Sequence, residues 1–155
     1  MMKNLFQILC GLFLVVSYSS CMHSEEDKVD VLIIGGGASG VTSGIQSARM
    51  GANTLILEES TWLGGMLTSA GVSAVDGNYR LPAGLWGEFK NRLSDYYGGL
   101  DSLKTGWVSN VLFEPSVGNK ILHEMVAAEN NLKVWKRKKI APIPSAVMSI
   151  IWCRY

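Results

Sequence analysis

The sequence predicts an α/β fold built on a parallel sheet, and three observations carry that expectation. A β-branched run at Asp30–Ile34 leads straight into a cluster of glycines. A helical stretch with one apolar face follows at Ser39–Met50, and a second apolar run follows at Thr54–Leu57. Strand, helix and strand in that order, within about 30 residues, form a β-α-β unit, whose two strands lie parallel in one sheet.

Each element has local grounds. Asp30–Ile34 is short, rich in β-branched residues and bounded by Gly35, as a buried parallel strand requires. In the helix that follows, Val41, Ile45 and Ala48 share a face, and Gly51 stands where a helix is stopped by a residue that tolerates positive φ. A Gly-rich loop spans Leu63–Gly77. Pro82 is placed to open a helix in its first turn, with Leu85, Phe89, Leu93 and Tyr96 on one face and Gly98-Gly99 at its end. Pro115 opens another, with Val117, Ile121, Met125 and Ala128 on one face and Asn130-Asn131 closing it. Leu132–Trp135 reads as a third strand. No internal repeat is visible. After Lys136 a basic run and two close prolines, Pro142 and Pro144, break the pattern. Residues 137–155 are therefore expected to form an irregular tail outside the α/β alternation.

Composition narrows the function classes. The length suits one domain with its own core. A formal net charge of +1 gives no pull toward nucleic acid, so none is expected as a partner. Cys10, Cys21 and Cys153 form no CxxC, and His23 and His123 lie far apart. That pattern supports neither a disulfide framework nor a metal site. No catalytic acid or base stands out. His123, Trp86, Trp107, Tyr96 and Tyr97 read as structural or packing residues.

The first 21 residues read as an address. Lys3 supplies a positive start and Leu5–Val16 an apolar run of signal-peptide length, too short for a comfortable membrane span. Ser19-Ser20-Cys21 resembles a lipobox, with Tyr18 where an aliphatic residue is usual. The resemblance implies a lipoprotein signal over residues 1–21, lipid attachment at Cys21, export and a membrane anchor in the bacterial cell envelope. Residues 22–28, with the acidic Ser24–Asp27, read as a solvated tether.

The glycine cluster carries the chemistry. Gly35-Gly36-Gly37-Ala38-Ser39-Gly40 matches G-x-G-x-x-G between a strand and a helix. In that context Gly35 permits the tight turn, Gly37 lets backbone approach a pyrophosphate, and Gly40 lets helix pack on strand. Ala38 and Ser39 sit at the helix N-terminus, where free N–H groups and the dipole favour phosphate. Gly44 extends the packing face. Glu58 ends the second strand, 21 residues after Gly37, where a carboxylate accepts hydrogen bonds from the adenosine ribose. The same charge repels a 2′-phosphate, which disfavours NADP. These features predict a Rossmann-like, FAD- or NAD(P)-binding β-α-β core with an incomplete parallel sheet.

Leu63-Gly64-Gly65-Met66-Leu67-Thr68-Ser69-Ala70-Gly71 follows Glu58 closely. This loop resembles that of the bacterial FAD-dependent oxidoreductase family, in the superfamily with the glutathione-reductase-like fold. Trp107–Asn110 and Phe113–Gly118 resemble that family too, and the resemblance covers roughly Val29–Lys136. It implies FAD as cofactor. Gly64 and Gly65 would pass close to the pyrophosphate or ribityl chain, with Met66 beside them and Thr68 and Ser69 donating hydrogen bonds near the flavin. Family members are much longer, with a late segment that completes the sheet and a separate substrate domain. The resemblance therefore implies that residues 29–136 are the N-terminal part of an FAD domain, in a truncated or frame-disrupted product. Such a chain is expected to grip mainly the ADP half, to hold FAD weakly and to show no turnover alone. Its substrate is not legible. A second function class fits the same residues, a non-catalytic exported lipoprotein whose Rossmann-like scaffold binds a nucleotide or a partner.

Overall fold

The computed structural model describes residues 28–104, 107 and 109–138. Cys21 with its signal segment, and the tail beyond Lys138, lie outside them. In chain order the elements are β1 (Val31–Ile34), α1 (Ala38–Arg49), β2 (Thr54–Glu58), β3 (Ala74–Val75), α2 (Gly84–Tyr97), β4 (Val111–Leu112), α3 (Pro115–Ala127) and β5 (Leu132–Lys136). Short 3₁₀ turns occupy Gly65–Leu67 and Leu100–Leu103.

β1, β2 and β5 form a parallel sheet with β2 in the centre, so the three strands read from sequence pair as one sheet. The register sets Ile33, Ile56 and Val134 in one row. α1 lies against that row. A side chain at Gly44 would meet Ile56 Cδ1 at 2.6 Å, so glycine there lets the helix seat directly on the central strand. Val41, Ile45 and Ala48 are buried as expected, and α1 also packs on α3, which packs on α2.

β1 departs from the expected fully buried strand. Leu32 and Ile34 are 52% and 53% exposed. Their side chains alternate with Ile33 and so point to the face opposite α1, while α2 and α3 stack on the α1 side.

Three other expectations change at helix ends. α2 begins at Gly84 with Ala83 at its N-cap, so Pro82 stands before the helix instead of in its first turn. Gly84 takes φ +68°, which only glycine accommodates readily, and Gly87 lets the helix close onto the Pro82 carbonyl. Tyr96 is half exposed, and the neighbouring Tyr97 packs on the core instead. In α3, Val117, Ile121 and Met125 are buried and Pro115 occupies the first turn, but Ala128 caps the helix in an exposed position. β3, in the loop before α2, and β4, in the segment after it, pair as a two-stranded antiparallel ribbon that no pattern in the sequence marked.

Polar contacts fix the helices to one another. Arg49 at the end of α1 pairs with Glu88 of α2 at 2.9 Å and with Glu129 after α3 at 2.7 Å. Asn131 Nδ2 donates to the Ala48 and Ala52 carbonyls, closing the C-terminal end of α1.

Candidate dinucleotide site

The site grows from the turn between β1 and α1. Gly35 adopts φ +97°, the left-handed conformation that turns the chain sharply off the strand. Gly36 is buried beneath it. Its amide donates to Glu58 Oε2 at 2.5 Å, and a side chain there would strike Leu63 and Glu58. Gly40 has no room for a side chain because the Gly35 carbonyl occupies the place. The third glycine of the motif therefore serves the turn carbonyl first, with Ile33 next in line.

Gly37 differs from its neighbours. It is the N-cap of α1, with φ −65° and ψ −179°, a conformation open to any residue. A side chain on it would meet nothing within 4 Å. Helix geometry leaves the first amides of α1 without intrahelical acceptors. No side chain caps this end and no acid stands in its first turn. Ala38 and Ser39 thus border an open space at the positive end of a helix dipole, the arrangement that receives phosphate.

Glu58 lies at the sheet end of that space. Oε2 takes the Gly36 amide and Oε1 takes the Ser60 amide at 2.8 Å. Partial burial pushes its carboxyl upward, but hydrogen bonds from Ser60 and Gly36 outweigh that and hold it below its ordinary value of 4.5. It is a carboxylate at neutral pH. Two bonds leave lone pairs on both oxygens for further donors such as ribose hydroxyls.

The second glycine loop docks onto the first. The Gly64 amide donates to the Gly36 carbonyl at 2.8 Å, and Gly37 and Gly64 form a parallel bridge. A side chain on Gly65 would come within 3.1 Å of Gly37 Cα. Gly64 and Gly65 take φ +104° and +51°. Two side chains hold the loop by Leu63: Asn119 Oδ1 accepts its amide at 2.9 Å, and Thr68 Oγ1 donates to its carbonyl at 2.5 Å. Thr68 is 1% exposed. Its single hydroxyl hydrogen is spent inside the loop, so the expected donation toward a flavin gives way to a structural role. Ser69 is exposed and bonds the Gly65 carbonyl at 3.2 Å, and Met66 is exposed.

One contributor has no signal in the sequence, and one residue expected only to pack borders a cavity. Asn119 sits 56 residues from Leu63, and no local pattern links them. Trp86 lines a mostly apolar cavity of about 240 Å³ beside Ala38, Ser39 and Leu67. Its indole Nε1 is buried without a hydrogen-bond partner. A buried donor left open beside a cavity is a feature that only the folded structure exposes. His123 Nε2 faces Lys136 Nζ at 3.2 Å. Among the described residues no cluster of His, Cys, Asp or Glu could hold a metal ion.

The parallel β-α-β unit, with its glycine turn between the first strand and the helix, is a partial Rossmann-like fold of the FAD-binding kind. The sequence profile of the family described as FAD dependent oxidoreductase matches residues 30–146, and the chain belongs to that family. Its cofactor is FAD. Among solved structures it is similar to GidA from Aquifex aeolicus, with 19% identity over 73% of this chain and 20% of that one, at a TM-score of 0.46. It is similar to THI4 from Thermovibrio ammonificans, with 18% identity over 84% and 45%, at 0.42. It is also similar to histamine dehydrogenase from Rhizobium sp. 4-9, with 15% identity over 78% and 13%, at 0.38. The matches thus cover between 13% and 45% of those three chains. No curated protein matches the chain.

Proposed function

We propose that this chain binds the ADP half of FAD at the Gly35–Gly40 turn and Glu58, as the N-terminal FAD-binding portion of an exported FAD-dependent oxidoreductase. The observation that carries the reading is the contrast within one motif. Gly36 and Gly40 are glycines because protein fills the space a side chain would need, whereas Gly37 faces open space at an uncapped helix end. Its missing side chain serves something outside the protein, and the pyrophosphate fits that place.

The residues divide the work. The amides at the start of α1 receive the pyrophosphate, Glu58 accepts from the ribose hydroxyls, and Gly64-Gly65 keep the second loop close enough to wall the site. When bound, FAD supplies hydride acceptance at its ring system. This chain's part is to orient the nucleotide half. The substrate is a small molecule approached from the flavin side. Export rests on the charged start, the apolar run and Cys21, with the lipid on Cys21 anchoring the chain to the cell envelope.

Calorimetric titration with ADP and with FAD tests the binding claim. The expected outcome is saturable binding of both with similar affinity, and loss of both in Gly37→Val at an unchanged melting temperature. Gly37→Val binding as tightly as the parent would place the nucleotide elsewhere. Labelling cells with a fatty-acid probe tests export: label should be present on the parent chain and absent from Cys21→Ser.

A further inference from the structure

A second cavity of about 400 Å³, within the size range of small-molecule sites, is lined by Lys90 of α2 and by residues of the segments on either side of that helix, and by none of the glycine turn. Three of its lining residues, Arg80, Lys90 and Lys104, are cations and none is an acid. Lys90 is the unusual one. It is 8% exposed, and its ammonium donates to the Tyr79 carbonyl at 2.8 Å and the Leu81 carbonyl at 2.9 Å. An ammonium has three donors, so two neutral carbonyls leave one donor and the whole charge uncompensated. Lysines buried this deeply are ordinarily paired with an acid. Among the described residues neither Lys90 nor Arg80 has a carboxylate partner, and only Lys104 does, with the exposed Asp101 at 3.0 Å. Arg80 is held beside the cavity by Tyr79, whose hydroxyl accepts from its Nε at 3.0 Å.

We propose that this cavity is a binding site for a small organic carboxylate with an apolar body. The carboxylate supplies the missing counter-charge to Lys90, and the Arg80 guanidinium offers the fork geometry that a carboxylate accepts in two bonds. Asn110 adds a neutral polar group, while Leu103 and Val111, both at most 2% exposed, give the wall an apolar part. A bare inorganic anion would satisfy the cations and leave that wall unused. The site lies on different residues from the nucleotide cradle, so the two are occupied independently.

Titration of the chain with benzoate, benzamide and inorganic phosphate tests this, since benzamide has the shape of benzoate without its charge. Benzoate is expected to bind saturably, at least tenfold more tightly than benzamide or phosphate, and more weakly as salt rises. Arg80→Gln, a change at an exposed residue, should weaken benzoate tenfold or more, leave benzamide unchanged and keep the melting temperature. Lys90→Met should do the same to benzoate wherever its circular dichroism shows it folded. Saturating ADP should leave benzoate binding intact. Equal binding of benzoate and benzamide, phosphate binding as tight as benzoate, unchanged affinity in Arg80→Gln, or displacement by ADP would each overturn the proposal. Absence of ADP binding would remove the nucleotide reading and leave this one standing.

Discussion

The Glu58 carboxylate accepts the Gly36 amide at 2.5 Å, so the acid at the tip of β2 is tied to the turn at the end of β1. One side chain thereby shapes the glycine turn and, in the proposed function, also accepts from the nucleotide. Gln in its place keeps one oxygen but loses the charge and one of two acceptors. Glu58→Gln is expected to weaken ADP binding by about 1.5–3 kcal/mol, roughly ten- to a hundredfold, the loss typical of a charge-assisted bond. It should also lower the melting temperature, because the Gly36 or Ser60 amide loses its partner. Calorimetry and a thermal melt measure the two effects separately.

Gly40→Ala is expected to destabilise the fold by about 1–3 kcal/mol or more, because its methyl meets the Gly35 carbonyl and neither backbone can yield cheaply. Gly37→Ala, three residues earlier, should leave stability within about 0.5 kcal/mol, since it meets nothing and its φ suits any residue. Urea unfolding of the pair checks the contrast. An equal loss in both would mean that the two glycines do not divide their roles as the geometry says.

Asn119→Ala removes the acceptor of the Leu63 amide at a residue that is fully buried. The expected cost is roughly 1–3 kcal/mol, seen as a fall of several degrees in Tm. Thr68→Val, which keeps shape but loses the donor to the Leu63 carbonyl, should cost a similar amount, and Thr68→Ser should cost less. The two changes act on one residue's backbone, so the double variant should be non-additive.

Acidification should weaken the fold through His123. Burial lowers the affinity of its imidazole for a proton, the Lys136 ammonium lowers it further, and the Thr61 backbone opposes both, leaving it below the ordinary 6.5. The unfolded chain then binds a proton that the folded chain resists. The stability this histidine contributes is present above pH 6.5 and is lost as pH falls from there through the folded value. Melting temperature should decline from pH 7 to pH 5, and the decline should be shallower in His123→Gln. Glu58 and Glu88, both held below their ordinary 4.5, add a separate loss at lower pH.

The sequence by itself determined the β-α-β unit, the strand that follows α3, the glycine turn and the acid at the tip of β2. These are local properties: a run of β-branched residues, a helical stripe, glycines at positions where a turn or a helix contact excludes a side chain. It also led to the family, because its two glycine loops sit within one short segment. Although position in the motif already set Gly37 apart from Gly40, tertiary structure alone decided that Gly36 has no room for a side chain and that the Gly35 carbonyl, ahead of the strand, is what Gly40 accommodates. It decided that Thr68 is a loop staple, because its acceptor is a carbonyl exposed to it only after the loop folds back. It brought Asn119 to Leu63, drew Tyr97 inward and left Tyr96 outside, and set Leu32 and Ile34 on the sheet face away from the helices. It buried Lys90 without an acid, which no run of charges foretold. The physical reason is common to all of these. Propensity and periodicity act within a few residues, whereas burial, counter-charge and hydrogen-bond partners are set by chain segments that meet only when the core closes.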